Sequence, residues 1–213
     1  MALALTACGG SGNSGNSANE NSSSSSHGNG SSSVSASETD STDNSNETNQ
    51  NENSANSLVV YFSWSGNTEN VAEAIAEQTG SDIFKIIPET PYSDDYNTVI
   101  DVAQSEQRSN ARPSISGSIS NIEQYDVIYV GFPNWWGDMP MILYTFFDAY
   151  DLSGKTIAPF CTSGGSGLSN TVNEIKGLEP NATVTDGLHV GSGASSNPDS
   201  AVSEWLSEIG LAK

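Results

Sequence analysis

The chain has 213 residues, 26 of them acidic against 6 basic, and a formal net charge of −20. Nucleic acid is bound through a basic footprint, so this charge argues against it as a partner. An acidic surface of this kind either steers a basic protein partner or serves solubility alone.

The first eight residues, MALALTAC, form a short apolar run ending Leu5, Thr6, Ala7, Cys8, followed by Gly9. This end resembles the lipobox of bacterial lipoproteins, whose cysteine is acylated and becomes the new N-terminus. It lacks a positively charged leader, and its apolar run is at the lower limit of a signal-peptide core. Two readings stay open: a start further upstream with Cys8 lipidated and the protein held outside the cytoplasmic membrane, or a cytoplasmic protein beginning at Met1. Residues 9–57 are almost wholly Ser, Asn, Gly, Glu, Asp and Thr, with no aromatic residue and no Lys or Arg. Such a segment cannot bury enough apolar surface to offset its ordering entropy, and it is expected to be a disordered acidic linker reaching roughly 35 to 42 Å. Residues 58–213 hold all six basic residues and twenty of the acids, which leaves this half at −14. They are expected to form one domain.

Within that domain Leu58 to Phe62 is an apolar run suited to a fully buried parallel strand. It ends in Ser63, Trp64, Ser65, Gly66, Asn67 and Thr68, and a helical pattern follows from Glu69 until Gly80 stops it. Asp82 to Ile87 reads as a second strand, closed by Pro88, and Tyr96 to about Arg108 as a helix with Val99, Ile100, Val102 and Ala103 on its apolar side. The connection through Arg112 and Pro113 to Ile119 is rich in Ser and Gly.

Val127 to Phe132 is the next strongly apolar run and is expected to be a central strand; it ends in Pro133, Asn134, Trp135, Trp136, Gly137, Asp138, Met139 and Pro140. A helix over Met141 to Tyr150 follows, burying Leu143, Phe146 and Phe147. Thr156 to Cys161 reads as a fourth strand, leading to Thr162, Ser163, Gly164, Gly165, Ser166 and Gly167 and a helix from Leu168 to about Lys176. Thr183 to Val190 is a weaker fifth strand. The closing helix spans Pro198 to Ile209, with Ala201, Trp205, Leu206 and Ile209 inward. Strands alternating with helices give an α/β domain, a parallel sheet covered on both faces. Ligands of such sheets bind beyond the carboxyl ends of the strands, where the three unusual loops all lie.

Each loop offers different chemistry. The first delivers amides and hydroxyls to a helix N-terminus, a preformed anion site, although the same residues also make an ordinary turn. It is not a nucleoside-triphosphate loop, because it has neither the lysine nor the spacing of that motif. Gly66 is expected to be a turn position with no room for a side chain. The second loop carries two tryptophans between prolines, with Gly137 allowing close backbone approach; one ring is expected to pack inward and the other to face a ligand. The third has small residues and backbone amides suited to a polar ring edge. A phosphate, an aromatic wall and an edge binder together describe a mononucleotide with a large ring system, and FMN fits best. The position of Asp138 beside Trp136 and Gly137 makes it the acid expected nearest such a ring.

The loops Tyr61 to Thr68, Pro133 to Pro140 and Thr162 to Gly167 resemble the YFSxSGNT, PxWWGxxP and TSGGSG loops of flavodoxin-like proteins, and the segment from Pro91 through Tyr96 to Pro113 is similar to the same group. The resemblance implies a flavodoxin-like three-layer sandwich of five parallel strands in the order 2-1-3-4-5. It also implies noncovalent FMN and electron transfer or flavin-dependent reduction. The cofactor-binding residues would be Ser63, Trp64, Ser65, Gly66, Asn67 and Thr68, then Pro133, Asn134, Trp135, Trp136 and Gly137, then Thr162, Ser163, Gly164, Gly165 and Gly167. Trp64 serves either as a lid over the ribityl chain or as a surface residue. No side chain is required as acid, base or nucleophile, because the flavin carries the chemistry. An electron carrier with a redox partner protein, an NAD(P)H-dependent quinone or FMN reductase, and a surface binding module without flavin remain the alternatives. Cys161 is expected to be a buried structural thiol, and neither His27 nor His189 belongs to a metal-binding cluster.

Overall fold

A computed structural model describes residues 56–213; the lipobox at Met1 to Cys8 and the linker up to residue 55 lie outside the described residues. The first strand, β1 (Ser57–Tyr61), leads into α1 (Asn67–Thr79). Ser57, expected to end the linker, is instead buried in β1, with its hydroxyl 2.6 Å from Ser81 Oγ.

The chain continues through β2 (Asp82–Lys85), the short β3 (Ile87–Pro88), α2 (Tyr96–Ser109), β4 (Ile115–Ser116) and β5 (Val127–Pro133). After β5 come α3 (Met141–Ala149), β6 (Thr156–Ser163), α4 (Thr171–Leu178), β7 (Thr183–Val184), β8 (Leu188–Gly191) and α5 (Asp199–Glu208). The main sheet is parallel in the order β2-β1-β5-β6-β7, with β8 also paired to β6. Its five positions reproduce the expected order, and the layers are those of a flavodoxin-like α/β sandwich.

Side chains alternate between two cores, as a pleated strand requires. On β1, Leu58 and Val60 join one cluster while Val59 and Tyr61 join the other; on β5, Ile128, Val130 and Phe132 oppose Val127 and Tyr129. Helices cover both faces, so both sets are apolar, which is why these strands read as unbroken hydrophobic runs. Gly131 is required by this packing: a Cβ there would lie 2.1 Å from the Phe160 ring of the neighbouring strand.

Several expected elements are redrawn. The second strand stops at Lys85, and Ile87–Pro88 turns away to pair antiparallel with Ile115–Ser116, inside a connection expected to be irregular. The fifth strand breaks into β7 and β8. On that edge Thr183 and Thr185 donate to the carbonyls of Lys155 and Ile157. The next donor in this ladder is Pro159, which has no N–H. Close packing of Gly187 against Leu168 and the Pro159 carbonyl falls at the same break. Helix α4 begins at Thr171 rather than Leu168, because residues up to Asn170 still belong to a loop held by Thr171 Oγ1 on the Leu168 carbonyl. In α2 only Val99 and Ala103 are buried, while Val102 is exposed; in α5 the inward set is Val202, Trp205 and Leu206.

Candidate functional site

The first loop is built around Ser63. Its Oγ accepts the N–H groups of Gly66 at 3.1 Å and Glu69 at 3.3 Å. Gly66, at φ +86°, supplies the left-handed turn into α1. No atom lies within 4 Å of where its Cβ would be, so the requirement for glycine is conformational and not the lack of room expected from sequence. Among the described residues, no acceptor takes up the amides of Ser65, Asn67 or Thr68. These groups lie at the positive end of α1, where an anion is stabilised.

The hydroxyls are less available than expected. Thr68 is buried and lies 2.9 Å from Thr162 Oγ1 on the third loop. Ser63 is engaged by the two amides. Ser65 remains exposed, with no hydrogen-bond partner among the described residues. Lys85 on β2 bonds Glu69 in the first turn of α1. That hydrogen bond foremost, with Tyr61 OH adding to it against the effect of burial, holds the Glu69 carboxyl below its usual range.

The second loop is a two-residue hairpin. Trp135 and Asp138 exchange backbone hydrogen bonds at 2.9 and 3.1 Å, and the two residues between them, Trp136 and Gly137, have φ of +56° and +84°. Both values are positive, as a type I′ turn demands, and a tryptophan held there carries strain. One ring packs inward, as expected, and the other is exposed. Trp135 packs edge-on against Phe62 at 5.5 Å and Tyr92 at 5.3 Å, and Trp136 is 52% exposed, with its Nε1 donating to the Ile100 carbonyl. Asp138 is engaged within its own loop and the following helix: its carboxylate accepts from the Met139 amide and from Tyr144 OH, whose pKa is raised by burial and then by this bond.

Asn134 acts as a brace between loops. Its Nδ2 donates to the Gly167 carbonyl at 2.8 Å and to Ser169 Oγ at 2.9 Å, its Oδ1 accepts from Gly137 N, and its own amide donates to the Thr162 carbonyl. In the third loop Ser163 Oγ accepts from the amides of Gly165 and Gly167, and lies 2.9 Å from His189 Nε2. Gly164 and Gly165 are exposed at the tip. Beneath them Cys161 is fully buried, its Sγ donating to the Gly167 carbonyl, and burial pushes the thiol up to about 12. This matches the buried thiol expected.

The three loops thus meet through Thr68 to Thr162, Asn134 to Gly167, and Phe62 to Trp135. Two further contributors escaped the sequence reading as site members. Ser195, 1% exposed, bonds Asn67 Oδ1 from the loop after β8. Ser93 accepts from Trp64 Nε1, and Tyr96 packs 6.3 Å from the Trp64 ring, so the segment before α2 walls one side. Those contacts place the Trp64 ring, which is half-buried, against this segment. The donor set fits a phosphate-bearing ring: open amides at a helix start, an exposed indole beside a tight turn, and a small-residue tip. Among the described residues no group of three or more His, Cys, Asp or Glu side chains could hold a metal ion, and no helix is long and apolar enough to cross a membrane.

Comparison with known proteins adds a lineage to this geometry. The sequence model of one family, described as flavodoxin, matches residues 56–209. The chain is 33% identical to a flavoprotein from Bacteroides eggerthii, with a TM-score of 0.66 over 73% of this chain and 98% of that one. A flavoprotein from Lactobacillus acidophilus, crystallised in complex with FMN, is 26% identical, with a TM-score of 0.58 over 71% of this chain and 98% of that one. Among curated proteins, an NAD(P)H dehydrogenase (quinone) from Acidovorax ebreus is 28% identical over 142 residues; the match covers 63% of this chain and 66% of the length of that relative.

Proposed function

This chain belongs to the flavodoxin family, and on that premise we propose that it binds FMN noncovalently and works in electron transfer or flavin-dependent reduction. The observation that carries this reading is the set of unpaired amides at Ser65, Asn67 and Thr68, held at the start of α1 by Ser63 and by the locked pair Thr68 and Thr162. These amides and the Ser65 hydroxyl would hold the phosphate. Trp136 and Gly137 would border the ring, and Gly164 and Gly165 its polar edge. Bound FMN would supply the redox chemistry, while the protein sets its position and potential.

The charge of the chain bears on that potential. The phosphate loop contains no Lys or Arg, and residues 58–213 carry −14, so an added electron enters a region of negative potential. Bound FMN should therefore take its second electron at a lower potential than free FMN.

Adding FMN to the purified full chain tests the reading: saturable binding with a perturbed flavin spectrum is expected, and an unchanged flavin spectrum overturns it. The name of the curated relative favours a second reading, an NAD(P)H-dependent quinone reductase. Appreciable direct turnover of FMN-loaded protein with NADPH or NADH and a quinone would select it over an electron carrier working through a partner protein. The lipobox-like LTAC and the polar linker support a further proposal, that Cys8 is acylated and the domain tethered outside the membrane, since two acyl chains anchor stably. Native protein recovered from the cytosol with Cys8 unmodified would defeat it.

A further inference from the structure

Two anions have a claim on the start of α1. An acid in the first turn of a helix is drawn to the same unpaired amides that hold an external anion, and Glu69 stands at the position from which a capping box reaches back to the residue before the helix. It does not reach back. The Gly66 amide goes to Ser63 Oγ, and among the described residues no hydrogen bond joins the Glu69 carboxylate to the amides of Ser65, Asn67 or Thr68. Both contacts of that carboxylate run to the sheet instead, through Oε1, from Tyr61 OH at 2.9 Å and from Lys85 Nζ.

The strand register explains this. Tyr61 and Lys85 are paired on β1 and β2, so their side chains leave on the same face, and Tyr61 packs there with Val71, Ala72 and Ile75 of α1. Lys85 Nζ lies 6.0 Å from the centre of the Tyr61 ring. Residues 63–79 carry three carboxylates, Glu69, Glu73 and Glu77, and no Lys or Arg. Glu73 and Glu77 are exposed, whereas Glu69 is half-buried and its amide is tied into the first loop through Ser63. The charge that counters Glu69 therefore comes from another strand.

We propose that Lys85, assisted by Tyr61, is a positioning residue of the phosphate site: it draws the Glu69 carboxylate to the sheet and neutralises it, which leaves the amides at the start of α1 to the phosphate of FMN. This rests on the flavin reading above. Without the lysine, Glu69 confronts the incoming dianion with an uncompensated charge and is free to turn back onto the helix start. The pair thereby sets how strongly FMN is preferred over riboflavin, which has the same ring and no phosphate.

Fluorescence titrations of the full chain with FMN and with riboflavin test this. Lys85 is partly exposed, so its replacement costs little stability. Lys85→Met should weaken FMN about tenfold and riboflavin by less than about twofold, lowering the ratio of the two affinities. Tyr61→Phe, which removes one hydrogen bond to the carboxylate, should lower the ratio by about two- to threefold. Adding Glu69→Gln to Lys85→Met removes the competing charge and should bring the ratio back to within about threefold of wild type. A purely structural lesion would weaken both flavins alike and would not be repaired by the second substitution. An unchanged ratio in Lys85→Met, or a double variant no better than Lys85→Met, overturns the proposal and leaves the flavin reading standing so long as wild type binds FMN. Absence of FMN binding to wild type overturns that reading, and this proposal with it.

Discussion

Ser63 and Ser163 solve one problem at the carboxyl ends of two parallel strands, and they leave different chemistry behind. Each turns its hydroxyl back onto two amides of the loop that follows, Gly66 and Glu69 in one case, Gly165 and Gly167 in the other. The first loop enters a helix at once, so further amides stay unpaired at the positive end of α1. The third wanders until Thr171 before a helix begins, and its serine also faces His189. On the proposed reading, the same residue serves a loop for a charged group in one case and a loop for a neutral edge in the other. What distinguishes them is the set of donors left over, not the residue that organises them.

The largest effect is expected at the turn that creates those spare donors. Gly66→Val forces a β-branched residue into the left-handed region, at a cost above the roughly 1–2 kcal/mol of an ordinary side chain, and should weaken FMN binding by about 100-fold. Gly66→Asn tolerates that region and should retain most of the affinity; equal losses in the two variants would show that φ is not the constraint. The contrast between the serines is sharpened by comparing FMN with riboflavin in a fluorescence titration. Ser63→Ala, which removes the acceptor for two amides, should cost FMN roughly 5- to 50-fold and riboflavin much less. Ser163→Ala should weaken both ligands alike.

Asn134→Ala should break the brace between the second and third loops, losing three side-chain hydrogen bonds and about 1.5–3 kcal/mol. That corresponds to a fall of roughly 4–10 °C in Tm by calorimetry. Smaller still is Asp138→Asn. Its carboxylate is committed to Met139 N and Tyr144 OH, so the second flavin potential in a spectroelectrochemical titration should move less than in any variant that adds or removes an acid at the loop tips. The least effect belongs to Glu69, whose pKa is lowered on folding. Its contribution is present above the unfolded pKa and is lost as pH falls through the folded one. As the Lys85 pair is half-exposed, this should amount to under about 1 kcal/mol, read as a shallower acid limb of stability in Lys85→Met.

The parts of this architecture that were legible in the sequence are those whose cause is local. Leu58 to Phe62 and Val127 to Phe132 read as buried strands because both faces of each are covered, and the three loops announced themselves by glycine, tryptophan and hydroxyl content. The pairing of Ile87–Pro88 with Ile115–Ser116 was invisible, since two residues carry no period. Tyr92 and Ser195 escaped because their roles arise from contacts across the fold: Tyr92 meets Phe62 and Trp135, and Ser195 meets Asn67. The engagement of Asp138 escaped for the same reason, its neighbour in space being Tyr144 one turn into α3. Pro159 was readable but unread: a proline inside a strand announces that one ladder must break.

That break has a bearing on how the molecule behaves in company. A sheet edge is a row of unpaired donors and acceptors that invites strands from other chains, and long flat edges seed aggregation. Here one outer edge is cut into a piece of two residues and a piece of four by the missing N–H of Pro159, and the opposite edge, β2, is only four residues long with Asp82 and Lys85 at its ends. Neither offers a template long enough for cross-chain pairing to propagate. Together with a charge of −20 on every copy, this equips the chain to remain dispersed at high local concentration, even though Ile83 stands exposed on β2.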